Sequence, residues 1–558
     1  MSISCPGVDA ASGNQYSRVV QVRAPSVRGL EWALALLLTA AAIHLHWTFR
    51  SHAGALWRDE AASVNVSRVA DLRELWRLTA VNSNPLLHPL LLRAAGAASP
   101  EALSDAGLRA LGFAIGIGLL GALWAVAAAL GTGPPVLSLA LFGTLGGTVI
   151  WGDSVRPYGI GAILLLAAFA SAWRLFERPG PARLALAALA ASLAVQSVYQ
   201  NAALVAAICL GGAAAALRLG RTRTAPWILA SGAVAAASAL PYIPVLAASR
   251  GWIALVVVPG FESVFINALR LLGSPHLVAL PALWIGLLLA GLALGIAAAT
   301  HPARPEFDPA RQEPAVYAGA TLLASMGFFL YFWVTKFATG PWNFLPFAAL
   351  AAVCLDALSG CLADRTRAAR VALAALLCVL GWAPSRLDVA SRMTTIDALA
   401  AQLNRDATAR DLVVVDPWFY GISFRRYYHG SAPFTTIPPI ADLTLHRYDL
   451  VREQLTSADP MGPVLEQAAR TLDGGGRVWV VGHMSLTTVP APGLAPAPHP
   501  RTGVSETPYL WIWSWRLGHF LRTRGDRFHI TGAPGGPASS WETVGMVEVQ
   551  KTRRQSRR

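Results

Sequence analysis

The sequence predicts a polytopic α-helical membrane protein with an α/β domain at its C-terminal end. Of its 558 residues, 54% are hydrophobic and only 14% are charged, a composition that excludes an ordinary soluble domain. About eleven apolar runs approach or reach the length of about 20 residues that a membrane-crossing helix needs. After residue 386 these runs stop, and short runs of β-branched residues alternate with helical patterns.

The apolar runs are the predicted membrane spans. They lie near 30–49, 108–130, 135–151, 158–176, 183–199, 201–217, 226–248, 277–299, 315–335, 341–358 and 369–385. The least sharp boundary falls in the Ala-rich stretch 183–217, where Tyr199-Gln200-Asn201 is the only break. Two separate helices and one long re-entrant pair both fit this stretch.

Arginines mark alternate ends of the spans and so predict the orientation. They are Arg18, Arg23 and Arg28 before the first span, Arg174, Arg178 and Arg183 after the fourth, Arg218, Arg221 and Arg223 after the sixth, Arg304 and Arg311 after the eighth, and Arg365, Arg367 and Arg370 after the tenth. The positive-inside rule then predicts a cytoplasmic N-terminal segment, 1–29, and an outer C-terminal domain, 387–558. Residues 1–29 lack the apolar run of a cleavable signal, so we expect the first span to be an uncleaved anchor.

The C-terminal region has the patterning of a small α/β domain. Strands are predicted over 411–416 and 477–482, and helices over 392–406 and 463–472. Gly474-Gly-Gly476 precedes a strand instead of joining a strand to a helix, which favours a tight turn over a phosphate-binding loop. No nucleic-acid motif is found.

Ionisable residues near the membrane gather at the ends of the spans. Glu31 and Asp356 fall at inner ends, whereas the outer ends carry Arg58, Asp59, Glu60, Asp153, Arg156 and Lys336. A midplane site for an ion-coupled transporter would need charges inside the spans. A carboxylate that accepts a proton from a hydroxyl, beside cations that hold a departing phosphate, instead suits glycosyl transfer from a lipid-linked sugar phosphate.

Five motifs follow one another in an informative order. They are Trp57-Arg-Asp-Glu-Ala-Ala-Ser63 in the outer loop 50–107, Asn82-Ser-Asn-Pro-Leu-Leu-His-Pro-Leu-Leu-Leu92, Gly152-Asp-Ser-Val-Arg-Pro-Tyr-Gly159, Thr335-Lys336 with Pro341-Trp-Asn-Phe-Leu-Pro346, and the segment from Asp411 to Tyr428. In this order the chain resembles the C-type glycosyltransferase superfamily, whose members use polyprenyl-phosphate sugars. It is most similar to the bacterial family 39-like branch, which includes protein O-mannosyltransferases and the lipid A aminoarabinose transferase.

The resemblance implies roles for individual residues. Asp59 matches the catalytic base and Glu60 its acidic neighbour, while Arg156, Lys336 and Arg58 are the candidates for binding the donor phosphate. Asp153 and His88 are the candidate ligands of a divalent metal ion that would bridge carboxylate and phosphate. Tyr158 and Asn343 lie within the matching motifs. The implied transmembrane glycosyltransferase domain covers residues 30–386.

Three positions depart from the family pattern, and simpler roles compete with several assignments. Asp153 stands one residue nearer the membrane than the family's Glu, His88 replaces a Tyr, and Trp342 replaces an Arg whose place Lys336 is interpreted to take. The alternatives are a solvated pair of Asp59 with Arg58 or Arg68, a salt bridge between Arg156 and Asp153, a packing role for His88, and a membrane anchor at Lys336.

The resemblance implies sugar transfer by a single inverting displacement at the periplasmic face of a bacterial plasma membrane. The donor would be a polyprenyl-phosphate sugar and the acceptor a lipid, glycan or protein, with membrane lipid around the spans. A flippase or exporter of lipid-linked sugars and a non-catalytic envelope-assembly scaffold are the alternatives. The identity of the sugar and of the acceptor cannot be predicted, because specificity depends on loop contacts.

Overall fold

The computed structural model describes residues 27–82, 84–253, 260–273, 279–300, 311–363, 366–497, 505–533 and 536–552. Its membrane half contains α1 (Val27–His52), α2 (Arg58–Ser67), α3 (Leu72–Leu78), α4 (Leu87–Ala98), α5 (Asp105–Leu130), α6 (Val136–Ser138), α7 (Gly146–Asp153), α8 (Tyr158–Glu177), α9 (Pro181–Ser197), α10 (Asn201–Arg218), α11 (Ala225–Ala239), α12 (Ile243–Ile253), α13 (Phe261–Leu272), α14 (Ala279–Thr300), α15 (Gln312–Ser325), α16 (Gly327–Thr335), α17 (Leu345–Gly360) and α18 (Arg367–Val389). Single 3-10 turns cover Pro100–Leu103, Leu240–Tyr242 and Pro341–Phe344.

The predicted spans have helical counterparts throughout. Within the described ranges, nine helical segments are long and apolar enough to cross a membrane. A tenth candidate is the pair Val136–Gly143 and Gly146–Asp153, which is bent by 75°. The remaining predicted run, 183–199, forms α9, a shorter helix of 17 residues, so the Ala-rich stretch folds as two helices separated by a break after Ser197.

Some of the predicted orientation markers lie outside the described residues. These are Arg18, Arg23, Arg304 and Arg365. At the same end of the bundle, Glu31 is bound by Arg367 at 3.0 Å and by Arg370, which also reaches Asp356 at 3.0 Å. These ion pairs join α1, α17 and α18, and they satisfy both acidic residues that the sequence placed at inner ends.

The C-terminal region forms a five-stranded mixed sheet. Its elements are α19 (Ile396–Asp406), β1 (Leu412–Asp416), α20 (Tyr420–Tyr427), β2 (Phe434–Thr436), α21 (Tyr448–Thr456), α22 (Gly462–Asp473), β3 (Val478–Gly482), α23 (Thr507–Arg524), β4 (Arg527–Thr531) and β5 (Gly545–Gln550). The strand order is β2-β1-β3-β5-β4, with β1 parallel to β2 and β3, and β5 antiparallel to β3 and β4.

The elements predicted for this region are confirmed. The runs 411–416 and 477–482 form β1 and β3, and 392–406 and 463–472 correspond to α19 and α22. The three glycines after α22 form a turn, in which Gly476 N donates to Thr471 O at 2.9 Å and Gly475 has a φ of 79°. The tight-turn interpretation is therefore correct, since only glycine adopts this conformation without strain.

The sheet domain, here called the outer domain, packs directly on the loop that carries the acidic motif. Helix α2 contacts α20, and Leu56 N donates to the Tyr427 hydroxyl at 2.7 Å. Arg426 and Tyr427 both bind Asp105, at 2.7 and 2.8 Å. These contacts join residues that precede most of the spans in the sequence to residues that follow all of them. The acidic motif and the outer domain therefore lie on the same face of the membrane half.

Candidate active site

A cavity of about 340 Å³ lies between the membrane half and the outer domain. Four stretches of the membrane half line it, one along α2, one before α4, one at the start of α8 and one before α17. The outer domain closes the other side with Phe419, Leu445, His446, Tyr448, Glu506 and Trp541. The cavity therefore joins residues that are far apart in the chain.

Asp59 stands in the first turn of α2, at the wall of this cavity. A carboxylate is favoured there because the helix dipole is positive at its N-terminal end. Its Oδ2 is paired with Arg156 Nη1, and its Oδ1 lies 3.4 Å from His446 Nε2 and 3.8 Å from Arg58 Nε. The side chain is only 14% exposed, which contradicts the alternative of an acidic pair on a solvated loop.

Charged neighbours control the ionisation of Asp59. Burial raises the pKa of this carboxyl, but Arg156, His446 and Arg58 together outweigh burial and hold the pKa below its usual value. Asp59 is thus ionised at neutral pH. It is also a weak proton acceptor for as long as Arg156 remains bound to it.

Arg156 projects from the short link between α7 and α8. Its guanidinium lies over the rings of Trp342 at 5.2 Å, Tyr158 at 5.1 Å and Trp57 at 6.0 Å. Its Nε is buried without a hydrogen-bond partner among the described residues. A donor of this kind can accept a further anion, and an arginine suits phosphate because it can bind two oxygens at once.

Glu60 points away from the cavity and fastens the site from behind. It binds Arg109 through two hydrogen bonds of 2.8 and 2.9 Å, and its Oε1 also accepts from Val155 N at 2.9 Å. Arg109 donates in addition to Gly54 O and Ala55 O. Because Val155 precedes Arg156, this network holds α2 and the Arg156 link together. Glu60 is fully buried and does not line the cavity, which argues against the predicted catalytic role.

Asp153 also serves to position the Arg156 link. His46 Nδ1 of α1 is hydrogen-bonded to the Asp153 carboxyl group, at 2.8 Å from Oδ1 and 2.9 Å from Oδ2. Gly116 of α5 makes room for the pair, since a Cβ there would lie 2.2 Å from Asp153 Oδ1. The predicted alternative of a salt bridge between Asp153 and Arg156 is not formed.

Arg58 is held by the outer domain. Its backbone N donates to Glu542 Oε2 at 3.0 Å, and its Nη1 donates to Trp541 O at 2.7 Å. The guanidinium lies 4.8 Å over the Phe419 ring. Arg58 lines the cavity, and its Nη1 and backbone N serve this contact between the two halves.

Lys336 lies outside the cavity, contrary to the interpretation that it replaces a lost arginine there. It ends α16 in a left-handed conformation with a φ of 53°. Its side chain is exposed, with the ammonium 5.0 Å above the Trp333 ring. The segment that follows it does line the cavity, and Asn343 Nδ2 donates to the Tyr158 hydroxyl at 3.2 Å. Tyr158 and Asn343 therefore lie where the motifs predicted.

The residues do not fit a divalent metal ion. The described part of the chain contains no group of three or more His, Cys, Asp or Glu placed to hold one. Asp153 is engaged by His46, and cationic side chains already surround Asp59. His88 is buried near Arg156, and burial followed by that guanidinium lowers the pKa of its imidazole to about 3. His88 therefore fits the packing alternative better than metal ligation.

Four tryptophans form a cluster beside Arg156. The rings of Trp57, Trp151, Trp342 and Trp541 contact one another at centroid distances from 4.8 Å (Trp151 to Trp342) to 6.2 Å (Trp151 to Trp541). Trp342 and Trp541 also line the cavity. The site thus has an aromatic wall to which both halves contribute, and Trp342 in this wall stands where the family pattern has an arginine.

Sequence reasoning missed the contribution of the outer domain. His446, Tyr448, Glu506 and Trp541 reach the cavity from loops and from the ends of helices. No local pattern marks them, because their meeting with Asp59 depends on how the outer domain packs. Arg109 was also overlooked, although a lone arginine at the start of an apolar run is a signal that could have been used.

Comparison with known proteins places the fold. No protein-family model and no curated protein matches the chain. The apo structure of the Archaeoglobus fulgidus oligosaccharyltransferase matches with a TM-score of 0.50 and 11% identity, over 92% of this chain and 74% of that one. The chain has the C-type glycosyltransferase fold. This fold was predicted from the order of the motifs, whereas membership of the family 39-like branch stays a prediction.

Other structures of the same archaeal enzyme are similar to a lesser degree. Its complex with Zn and sulfate matches with a TM-score of 0.47 and 12% identity, over 80% of this chain and 67% of that one. Its complex with an inhibitory peptide and a dolichol-phosphate matches with a TM-score of 0.45 and 10% identity, over 81% and 69%. The fold assignment rests on the apo structure alone, because both of these TM-scores lie below 0.5.

Proposed function

We propose that this protein transfers a sugar from a polyprenyl-phosphate donor to an acceptor hydroxyl, with Asp59 as the general base. The observation that carries the proposal is the pairing of Asp59 with Arg156 inside a cavity at one end of the spans. The pair combines a proton acceptor and a phosphate ligand, which are the two groups that this reaction needs. The C-type glycosyltransferase fold is consistent with it.

Donor binding would activate the base. A phosphate that enters the cavity competes with Asp59 for Arg156, whose Nε is still available. When the guanidinium turns to the phosphate, Asp59 loses its strongest cationic neighbour and the pKa of its carboxyl rises. The carboxylate then becomes a better proton acceptor at the moment when the sugar is in place.

The displacement then follows in one step. Asp59 takes the proton of the acceptor hydroxyl, and the oxygen forms a new bond to the anomeric carbon. The bond between that carbon and the phosphate oxygen breaks, and its electron pair leaves with the polyprenyl phosphate. Arg156 stabilises the negative charge that develops on the phosphate. A single displacement of this kind inverts the anomeric configuration.

The remaining walls suit the other parts of such a donor. Trp342 and Trp541 line the cavity, and Trp342 contacts Arg156, so a sugar attached to the phosphate would lie beside these rings. The exposed apolar faces of the spans, such as those around Leu37 and Leu289, can accommodate the prenyl chain in the membrane. We propose that the cavity opens at the periplasmic side of a bacterial plasma membrane, as the arginine pattern predicts.

The direct test is sugar release from the donor. Membranes that contain the wild-type protein are incubated with radiolabelled polyprenyl-phosphate hexoses and pentoses, and the free polyprenyl phosphate is measured. We expect release with one of these donors and its loss in Asp59→Asn. Release that is unchanged in this variant would contradict the proposed function.

A further inference from the structure

Glu506 is a buried acidic residue for which the proposed reaction has no role. It lines the cavity from the outer domain, at the residue before α23, and is only 8% exposed. Its Oε2 has no hydrogen-bond partner among the described residues. Its side chain does not cap α23, so the helix does not explain the carboxyl.

The Glu506 carboxyl also has no cationic side chain beside it among the described residues. Every other acidic residue at the cavity or behind it has a cationic or imidazole partner within 4 Å: Asp59, Glu60, Asp153 and Glu542. Among the described residues, Glu506 forms no such pair. Removing a carboxylate from water costs free energy unless a cation or several donors compensate it. In the part of the chain that the structure describes, no cation does this for Glu506.

Glu506 and Asp59 line the same cavity, together with His446 and Tyr448. Asp59 Oδ2 meets Arg156, whereas its Oδ1 lies 3.4 Å from His446 Nε2. The His446 ring stacks with Tyr448 at 5.9 Å. Burial raises the pKa of the Tyr448 hydroxyl, and the charges of Glu506 and Asp59 both raise it further.

We propose that Glu506 binds an ammonium group of a substrate and so determines specificity at this site. The inference rests on the proposed function only in taking the cavity as a substrate site. The ammonium could belong to the acceptor or to the sugar of the donor, because both would approach Asp59. An ammonium supplies the charge and the hydrogen-bond donors that Glu506 lacks, whereas a hydroxyl supplies one donor and no charge.

Matched probes can separate the two sources. Octyl glucoside serves as the acceptor-like probe, and the same molecule with an amine in place of its primary hydroxyl serves as its twin. Farnesyl-phosphate glucose and the corresponding amine serve as the donor-like pair. Binding is measured by calorimetry on the full chain in lipid nanodiscs. This measurement needs no turnover, so a protein that does not transfer sugar would still give an answer.

We expect the amine of one pair to bind at least about tenfold more tightly than its hydroxyl twin, because hydrogen bonds to charged groups are the stronger ones. The pair that shows the preference identifies the source of the ammonium. Glu506→Gln should remove the preference and leave the hydroxyl probe within about twofold of its wild-type affinity. Glu466→Gln is the matched control, since this glutamate is 73% exposed on α22.

Two results would overturn the proposal. One is equal binding of amine and hydroxyl by the wild-type protein in both pairs, which requires no variant and hence no assumption about folding. The other is an amine preference that survives in Glu506→Gln, since the preference would then come from another group. Unchanged sugar release in Asp59→Asn would contradict the proposed function and leave both binding results unaffected, so the two proposals can fail independently.

Discussion

Glu60 and Arg109 form a two-point ion pair behind the wall that carries Asp59. Their hydrogen bonds of 2.8 and 2.9 Å join α2 to α5, and both side chains are buried. The neighbouring residues of the acidic motif thus have different tasks. Asp59 faces the cavity, whereas Glu60 holds the surrounding backbone in place.

The first prediction concerns this pair. Glu60→Gln should lower the free energy of unfolding by about 3 to 5 kcal/mol, because it leaves the buried charge of Arg109 without its partner. Thermal unfolding in detergent measures the change. The matched control is Glu74→Gln, whose partner Arg77 is 75% exposed, and which should change stability by less than about 0.5 kcal/mol. Equal stabilities of the two variants would contradict the structural role.

The second prediction separates the two candidate phosphate cations. Arg156→Gln should weaken the binding of farnesyl phosphate by at least about tenfold, because a charge-assisted bond to phosphate is lost. Lys336→Ala removes a positive charge as well, but from an exposed side chain outside the cavity. It should leave binding within about twofold. A stronger effect of Lys336→Ala than of Arg156→Gln would restore the original interpretation.

Individual residues show how much of the fold and of the site can be predicted from the sequence. Apolar runs predicted the spans well, because only a long helix satisfies its backbone inside a membrane. The resemblance implied one site for Asp59, Arg156 and Lys336, and the first two line one cavity together with Tyr158 and Asn343 from the matching motifs. The position of Lys336 could not be predicted, because it depends on a left-handed residue that turns the chain after α16. The outer-domain residues escaped prediction because packing, and no local pattern, brings them to the cavity.

The third prediction concerns pH. Burial raises the pKa of the Glu506 carboxyl to about 7, and the nearby Trp418 indole opposes this rise in part. The carboxylate needed for an ammonium is therefore present above this pKa and is lost as the pH falls through it. Tyr448 faces Glu506 but stays protonated, because burial raises the pKa of its hydroxyl. The amine preference should thus decline from about pH 8 to pH 6.

The ionisation of Asp59 and His446, in contrast, should not change over the same pH range. The pKa of Asp59 lies below its usual value, and burial lowers the pKa of His446 to about 4. The free protein therefore keeps Asp59 charged and His446 neutral down to about pH 5. Farnesyl phosphate binding to Glu506→Gln, followed by calorimetry and corrected for the second ionisation of the phosphate itself (pKa about 6), should show no titration of the protein near pH 7. A transition there would mean that another group controls the pair.

The fourth prediction concerns the side of the membrane. Contacts between α2 and α20 place the acidic motif on the same face as the outer domain, and the arginine pattern predicts that this face is outside. Glu466→Cys lies on the exposed surface of α22, and Arg178→Cys lies at the opposite end of α8. A membrane-impermeant thiol reagent should label the first in intact cells and the second only after permeabilisation. The reverse result would invert the proposed orientation.

The last prediction tests Asp59 as the base and separates catalysis from binding. Asp59→Asn keeps the shape of the side chain and removes the proton acceptor, so sugar release should fall at least about a hundredfold. Binding of farnesyl phosphate should stay or become tighter, because Arg156 no longer has a carboxylate to hold. A merely structural ion pair predicts the opposite, since its loss would disturb Arg156 and weaken phosphate binding. Asp473→Asn, which removes a half-exposed surface carboxylate bound by Lys551, is the control for both measurements. Retention of most of the activity in Asp59→Asn would remove the residue from the reaction, whatever the binding result.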